Sequence, residues 1–126
     1  MTIKVGAIIA QLRTTDLESS IEFWTRRAGL ALDFRYADFY AGIRAGTQVF
    51  HLKRVDAPDP SIAHVRAGGH FHLYLEVEDA RAAAVALAAG GVALLREVHD
   101  TPWGTRELVF ADDQGHTIYV GQRLEP

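Results

Sequence analysis

Two aspartates, Asp16 and Asp79, hold equivalent places in this chain of 126 residues, and they lie 63 residues apart. Each follows a segment that alternates between apolar and polar residues (8–14 and 71–77), which is typical of a β-strand. Each precedes a segment of helical pattern that ends in glycine (17–28 and 80–89), and short strand-like segments follow. A repeat at fixed spacing predicts two copies of one structural unit. The predicted unit is strand–helix–strand–strand–strand.

Both predicted helices carry recognisable start and stop signals. Asp16 is a favourable N-cap, because its carboxylate can accept hydrogen bonds from the free N–H groups of the first helical turn. Leu17, Ile21 and Trp24 recur at helical spacing and predict a buried stripe, with Trp24 in the core. Gly29 can adopt the left-handed conformation that ends a helix.

The composition predicts one globular domain over residues 1–126, made of two modules at about 1–57 and 66–126. Apolar residues make up 48% of the chain and charged residues 23%, which excludes a disordered chain. No apolar run approaches the roughly 20 residues that span a bilayer, so we expect no membrane association. A net charge of −3 argues against a nucleic-acid partner. The chain has no cysteine, which fits a reducing cytoplasm.

Alternation along the first strand of each module predicts which side chains face the helix and which face away. The face away from the helices is mixed polar and aromatic, and it predicts a groove. Arg13 on this face is expected to pair with Glu76. The helix-facing sets are Ile8, Ala10 and Leu12 in the first module and Phe71, Leu73, Leu75 and Val77 in the second; the opposite sets are Ile9, Gln11 and Arg13, and His70, His72, Tyr74 and Glu76.

Other parts of the chain receive plainer interpretations. Residues 55–69 contain Pro58, Pro60 and a glycine pair, and they are predicted to form a linker or exposed loop. Three histidines near turns or chain ends are expected on the surface: His64, His99 and His116. No Gly-x-Ser-x-Gly elbow and no phosphate-binding glycine loop is present in a suitable context.

Three motifs resemble the vicinal oxygen chelate superfamily, which includes glyoxalase I, extradiol dioxygenases and bleomycin-resistance proteins. The first runs from Leu12 to Trp24 (LRTTDLESSIEFW), and the second is its echo from His72 to Asp79 (HLYLEVED). The third, from Pro102 to His116 (PWGTRELVFADDQGH), is most similar to the bleomycin-resistance branch. The resemblance implies an α+β fold, with two tandem βαβββ modules forming concave sheets around a groove in a homodimer.

The resemblance also implies where a metal would bind. Metal-dependent members carry one ligand on the first and one on the last strand of each module, and these positions correspond here to Ile9, His51, His72 and Tyr119. Isoleucine cannot ligate a metal and neutral tyrosine is a poor ligand, so we predict no metal and no other cofactor. The alternative is a divalent metal ion bound by His51 and His72, with His70 as a possible third imidazole.

These points predict a metal-free protein that binds a planar or aromatic small molecule and sequesters it, as in antibiotic resistance. The resemblance implies that an aromatic from the Tyr40 hairpin of one subunit and Trp103 of the other would sandwich the ligand. One alternative is a metal-dependent glyoxalase-like lyase, isomerase or dioxygenase using His51 and His72; another is an auxiliary domain without a ligand. The predicted ligand-binding residues are Tyr40, Trp103, His51, His72, Tyr74, Gln11, Phe39 and Tyr119.

Overall fold

The repeat in the sequence folds as two βαβββ units joined by a helical connector. The computed structural model describes residues 1–125. The first unit comprises β1 (Gln11–Thr14), α1 (Leu17–Glu22) with a π-helical turn at Phe23–Arg27, β2 (Ala31–Tyr36), β3 (Tyr40–Ala45) and β4 (Gln48–Arg54). The connector holds α2 (Ser61–Gly68). The second unit comprises β5 (Leu73–Glu76), α3 (Ala80–Ala89), β6 (Leu94–Asp100), β7 (Thr105–Ala111) and β8 (Thr117–Arg123).

Each unit forms one four-stranded mixed sheet, and the two sheets have the same strand order. The order is β1-β4-β3-β2 in the first sheet and β5-β8-β7-β6 in the second. The first strand of each unit runs parallel to the last, pairing Gln11 with His51 and Tyr74 with Tyr119. The α+β class and the two tandem βαβββ modules predicted above are therefore confirmed. Within residues 1–125, none of the helices has the length and apolar character needed to cross a bilayer.

The predicted helix caps are present in both units. The Asp16 carboxylate accepts a hydrogen bond from the Ser19 N–H at 3.0 Å, and Asp79 accepts one from Ala82 at 3.1 Å. Gly29 has a φ of 79°, the left-handed conformation predicted for the helix end. Both helices thus start and stop where local chemistry favours it.

One hydrophobic core is shared by the two units. Trp24 is fully buried, with its ring 4.9 Å from that of Phe50 in the first unit and 5.9 Å from that of Phe110 in the second. The expectation that Trp24 belongs to the core is confirmed. Where the ends of α1 and α3 meet, a Cβ on Gly90 would lie 2.0 Å from the carbonyl oxygen of Arg27. Only glycine permits this close packing of the two units.

The first strand of each unit is shorter than its sequence pattern predicts. Strand β1 begins at Gln11, so the prediction that Ile8 and Ala10 pack on the first helix is wrong. Ile8 is 91% exposed, and residues 1–10 form an exposed arm, although the Ala10 carbonyl oxygen still accepts a hydrogen bond from the His51 N–H at 2.9 Å. Phe71 precedes β5 and is 47% exposed, so it does not join the buried face. The alternation of apolar and polar residues along a segment does not show where its hydrogen bonding to a neighbouring strand begins or ends.

The connector is not the loop that its prolines and glycines suggest, since it contains the two-turn helix α2. Both prolines precede the helix, where a missing N–H costs nothing. The Asp59 carboxylate accepts a hydrogen bond from the N–H of Ser61 at 2.9 Å, and Gly69 ends the helix with a φ of 70°. Arg66 then ties the helix to the second unit by donating to the Gly115 carbonyl oxygen at 3.0 Å.

Candidate functional site

Each sheet packs one face on the helices and core and leaves the other face exposed. On the first sheet this exposed surface, the first open face, consists of Gln11, Phe34, Tyr40 and His51 with the neighbouring Phe39. The Tyr40 hydroxyl accepts a hydrogen bond from the Gln11 amide at 3.0 Å and lies 3.0 Å from Nδ1 of His51. The Tyr40 and His51 rings meet edge to face with centroids 5.2 Å apart. This chain of contacts holds three polar side chains in fixed positions on an aromatic surface.

A glycine sets the shape of the first open face. Gly42 on β3 pairs with His51 on one side and Phe34 on the other. A Cβ at Gly42 would lie 2.4 Å from the Phe34 ring. The missing side chain lets Phe34 lie flat across the sheet, where its ring stacks near Tyr40 with centroids 6.2 Å apart and an interplanar angle of 18°. The result is a flat aromatic floor.

The second sheet carries an equivalent surface, the second open face, made of Phe71, Tyr74, Glu107 and Tyr119. The Tyr74 hydroxyl donates a hydrogen bond to the Glu107 carboxylate at 2.8 Å, and Thr105 donates to the same oxygen at 2.9 Å. Burial, followed by the hydrogen bond to Glu107, raises the pKa of Tyr74 to about 12. Tyr74 therefore keeps its proton at neutral pH and acts as a donor rather than a base.

A glycine also lies beneath the aromatic ring of the second open face. The Tyr74 hydroxyl crosses Gly121 of β8 so closely that a Cβ there would coincide with it. Phe71 packs against both Tyr74 and Tyr119, with ring centroids 5.6 and 5.1 Å apart. The two open faces thus repeat one design, with an aromatic ring laid over a glycine on a central strand.

Trp103 stands beside the second open face, in the turn between β6 and β7. Its side chain is 72% exposed. The turn is held by hydrogen bonds from the Thr101 N–H to the Thr105 carbonyl at 2.8 Å and from the Leu124 N–H to the Gly104 carbonyl at 2.9 Å. Because Thr105 also donates to Glu107, the turn that carries Trp103 is tied to the polar centre of the face.

The predicted pairing of Arg13 with Glu76 is wrong. Arg13 lies 3.4 Å from Asp59 in the connector, and Glu76 pairs with Arg123 at 3.1 Å. Among residues 1–125, no side-chain hydrogen bond or ring contact joins the two open faces. The expected pair assumed that these faces meet within one chain.

His72 lies apart from the aromatic rings of the second open face, at the start of β5. Its Nδ1 accepts a hydrogen bond from the Thr117 N–H at 3.0 Å, and its Nε2 lies 3.1 Å from the Ser61 hydroxyl. The neutral ring therefore carries its proton on Nε2 and donates it to Ser61. Since no ring nitrogen of His72 is left to take the Ser61 proton, the two residues do not form a nucleophile–base pair.

The expectation that His116 lies on the surface is wrong. Its side chain is 1% exposed, and its Nδ1 lies 2.8 Å from the equally buried carboxylate of Asp112. The same carboxylate accepts hydrogen bonds from the N–H groups of Gln114 and His116 at 3.0 and 2.8 Å. The His116 ring also meets the edge of His72, with centroids 4.8 Å apart. A buried polar cluster under the β7–β8 turn explains this burial.

The four positions of the family's metal site do not fit a metal ion here. Ile9 has no donor atom, and the Tyr119 hydroxyl donates to the Gly69 carbonyl oxygen at 3.2 Å. Both nitrogens of His72 are engaged, which leaves His51 with its Nε2. Within residues 1–125, no group of three histidine, cysteine, aspartate or glutamate side chains is placed to hold a metal together.

We expect His72 to make the protein less stable in mild acid. Burial, and next the nearby His116, lower the pKa of His72 below its usual 6.5, although Asp112 and Asp59 oppose this. As the pH falls through about 6.5, His72 takes up a proton in the unfolded chain but not in the folded chain, so the free energy of unfolding decreases.

Urea unfolding at about pH 7.5 and 5.5 measures this decrease in the free energy of unfolding, which should be smaller in His72→Gln than in the wild type. His64→Gln, at an exposed position, should keep the full loss; an equal loss in His72→Gln would contradict this assignment.

The structure divides the predicted site residues into three groups. Gln11, Phe39, Tyr40 and His51 come together on the first open face; Tyr74 and Tyr119 come together on the second, with Trp103 beside it; and His72 lies apart against α2. Sequence reasoning missed Phe34, Phe71 and Glu107. The glycines opposite Phe34 and Tyr74 were the available signal, because a strand glycine marks a place where another group approaches the backbone.

Comparisons with known proteins agree with this architecture. The model of the glyoxalase/bleomycin resistance protein/dioxygenase superfamily matches residues 6–120. No curated protein sequence matches the chain significantly.

Solved structures of low sequence identity share the fold. The bleomycin-binding protein of bleomycin-producing Streptomyces verticillus, solved with copper(II)-bleomycin, is 22% identical over 99% of this chain and 100% of its own, with a TM-score of 0.70. Lactoylglutathione lyase from Agrobacterium tumefaciens is 19% identical over 94% of this chain and 95% of its own, with a TM-score of 0.72. TioX from Micromonospora sp. ML1 is 19% identical over 96% and 98%, with a TM-score of 0.71.

Proposed function

Because the chain belongs to the glyoxalase/bleomycin resistance protein/dioxygenase superfamily, we propose that it is a metal-free binding protein that sequesters a planar or aromatic small molecule. The supporting observation is the pair of open faces, each with aromatic rings laid flat over a glycine and a few fixed polar groups. Binding sites of this kind combine apolar area with a small number of oriented hydrogen bonds. Sequestration of a toxic compound such as an antibiotic, in the cytoplasm, is the role we propose.

We propose that the site forms in a homodimer, between the first open face of one subunit and the second open face of its partner. Each face is exposed in the single chain, so a ligand resting on either would be covered on one side only. The arm of residues 1–10 adds exposed apolar side chains: Ile3 is 86% exposed, Val5 63% and Ile8 91%. Apolar surface of this extent is typical of an interface.

Within this dimer, the rings of Phe34 and Tyr40 would lie under the ligand and Trp103 of the partner would cover it. Offset stacking adds roughly 0.5–1.5 kcal/mol beyond the burial of apolar area. The Gln11–Tyr40–His51 chain and the Tyr74–Glu107 pair would fix the ligand's orientation. His51 offers Nε2, which has no partner among residues 1–125, whereas the carboxylate of Glu107 is 4% exposed and acts by holding the Tyr74 hydroxyl in place.

The stacking model predicts which substitutions weaken binding. A screen of aromatic natural products by tryptophan-fluorescence quenching should yield a ligand that binds the wild type. Trp103→Ala should cost about 1–3 kcal/mol of binding free energy through lost burial and stacking, and Tyr40→Ala should also weaken binding. Both are measured by calorimetry, while sedimentation should show dimers throughout. Leu95→Ala, at another exposed apolar side chain, is the control and should leave affinity unchanged. A ligand whose affinity ignores both substitutions would refute the stacking model.

Mixing the two defective variants tests whether each site needs two subunits. In a symmetric dimer, a subunit with Tyr40→Ala paired with one carrying Trp103→Ala has one doubly defective site and one wild-type site. After random subunit exchange, about a quarter of all sites should regain wild-type affinity. No recovery despite exchange would place both residues in the same subunit's site and contradict the shared groove.

The alternative function is a metal-dependent lyase, isomerase or dioxygenase, and metal analysis separates it from our proposal. We expect no stoichiometric divalent ion in the purified protein, because Ile9 and Tyr119 replace two ligands and His72 uses both ring nitrogens. Elemental analysis after dialysis against zinc, nickel or iron checks this. About one ion per chain, lost in His51→Ala and in His72→Ala, would favour the enzyme; His64→Ala is the control.

A further inference from the structure

The first open face carries one positive charge that no carboxylate balances. Among residues 1–125, its cations are Arg13, Arg44 and Lys53, which alternate with buried residues along β1, β3 and β4. Arg13 pairs with Asp59 at 3.4 Å, and Arg44 pairs with Asp33. Lys53 forms no ion pair within residues 1–125. Its ammonium group is therefore available to a ligand.

Lys53 lies beside the aromatic floor of this face. It is paired across the sheet with Tyr40 on β3, and it shares the open side of β4 with His51, two residues earlier, which is roughly 6–7 Å along a strand. The Lys53 ammonium lies 5.9 Å from the centre of the Phe39 ring, and that ring lies 6.2 Å from the ring of Tyr40. A molecule resting on these rings has the ammonium next to it.

His51 presents a hydrogen-bond donor to the same molecule. The Tyr40 hydroxyl accepts from the Gln11 amide, and among residues 1–125 the acceptor within reach of its own proton is Nδ1 of His51. A neutral histidine that accepts at Nδ1 carries its proton on Nε2. Nε2 has no partner and is not one of the buried polar atoms of residues 1–125, so it can donate to a molecule on the open face.

The second open face brings no exposed charge that lacks a counter-charge. Glu76 pairs with Arg123 at 3.1 Å, and Asp100, next to the turn that carries Trp103, pairs with Arg106 at 2.7 Å. The Glu107 carboxylate is 4% exposed. In a groove between the two faces, the exposed charge without a partner is therefore the ammonium of Lys53.

We propose that the ligand of this groove is a planar aromatic oxyanion, a carboxylate or phenolate whose oxygens bind Lys53 and His51. This inference rests on the binding function proposed above and adds the charge of the ligand. Both groups donate and neither accepts, so they match an oxygen acceptor with negative charge. Charge-assisted hydrogen bonds are about twice as strong as neutral ones, so the charge should decide between molecules of the same shape.

Three probes with one ring system and different charges test the proposal. Naphthoate is the anion, naphthamide is its neutral match, and naphthylmethylammonium is the cation; calorimetry at low salt measures their affinities. Naphthoate should bind about tenfold more tightly than naphthamide, equivalent to about 1.4 kcal/mol, and the cation should bind more weakly than either. Added salt should reduce the preference for naphthoate, because salt screens exposed charges.

Variants then test whether Lys53 is the cause of the preference. Lys53→Met removes the charge and keeps an unbranched side chain, so it should weaken naphthoate binding about tenfold and leave naphthamide binding nearly unchanged. Lys53→Arg should restore the preference. Arg81→Met removes an exposed charge on α3, which packs on the other side of the second sheet, and it should keep the preference in full.

The outcomes separate this proposal from the stacking function on which it rests. Naphthamide binding that equals naphthoate binding and weakens in Trp103→Ala would overturn the anionic class and leave the stacking site in place. Naphthoate binding that depends on Lys53 but ignores Trp103→Ala and Tyr40→Ala would support the anion contact and refute stacking. Absence of binding by all three probes would overturn the proposal.

Discussion

Replacing Asp112 with alanine should lower the free energy of unfolding by about 3–5 kcal/mol, because three hydrogen-bond donors would lose their acceptor, at roughly 1–3 kcal/mol for each buried group left unpaired. The carboxylate accepts three hydrogen bonds, from the ring Nδ1 of His116 and from the backbone N–H groups of Gln114 and His116. Its side chain is 1% exposed, so water cannot replace it without opening the turn. Urea unfolding followed by circular dichroism measures the change.

Two further variants show whether burial of Asp112 is the cause. Asp112→Asn keeps an oxygen that can accept from the backbone N–H groups, so it should lose less than the alanine variant. Glu22→Ala removes an exposed pair with Arg26, 3.6 Å apart and one helical turn along, and should change stability by only about 0.3–0.5 kcal/mol. If Asp112→Ala behaves like Glu22→Ala, the cluster beneath the β7–β8 turn does not stabilise the fold.

Replacing Trp24 with alanine should cost about 3–5 kcal/mol, because truncation of a fully buried tryptophan leaves a large cavity. Its ring meets those of Phe23, Phe50 and Phe110 at 5.4, 4.9 and 5.9 Å, so contacts in both units are lost together. Chemical denaturation measures the cost, and the near-ultraviolet circular dichroism of the core aromatics should weaken.

The second tryptophan supplies the control. Trp103 is 72% exposed, and its replacement with alanine should change stability by less than about 0.5 kcal/mol, although we expect that substitution to weaken ligand binding. Comparable losses of stability in the two variants would contradict the roles assigned here to the two side chains.

Local chemistry was sufficient to predict the repeat and the helix caps. Asp16 and Asp79 act within one helical turn, where a carboxylate meets the N–H groups it can accept from, so short sequence windows contain the necessary information. The internal repeat then predicts the architecture, because two halves with the same sequence pattern should form two units with the same strand order. The pairing of Gln11 with His51 and of Tyr74 with Tyr119 follows that repeat.

The errors arose where a residue's surroundings come from distant parts of the chain. His116 is buried because Asp112 and His72 enclose it, and a histidine next to a turn gives no local sign of this. Arg13 was assigned to Glu76 although Asp59 lies closer to it, because the position of the connector was unknown. The prolines in residues 55–69 favour a loop, but both precede the helix α2. The first two errors concern tertiary contacts, on which sequence alternation carries no information, whereas the third overlooked a local signal, since prolines before a helix and a glycine after it are favourable.

Because Trp24 of the first unit packs against Phe110 of the second, the two units share one hydrophobic core. Neither half can bury its own aromatic residues alone, so we expect one cooperative melting transition and no stable half-molecule. Two separate fragments, residues 1–57 and 58–126, should each be largely unfolded alone. They should fold when mixed, since each fragment supplies aromatic side chains that the core of the other needs. We therefore expect the two similar units to fold as one.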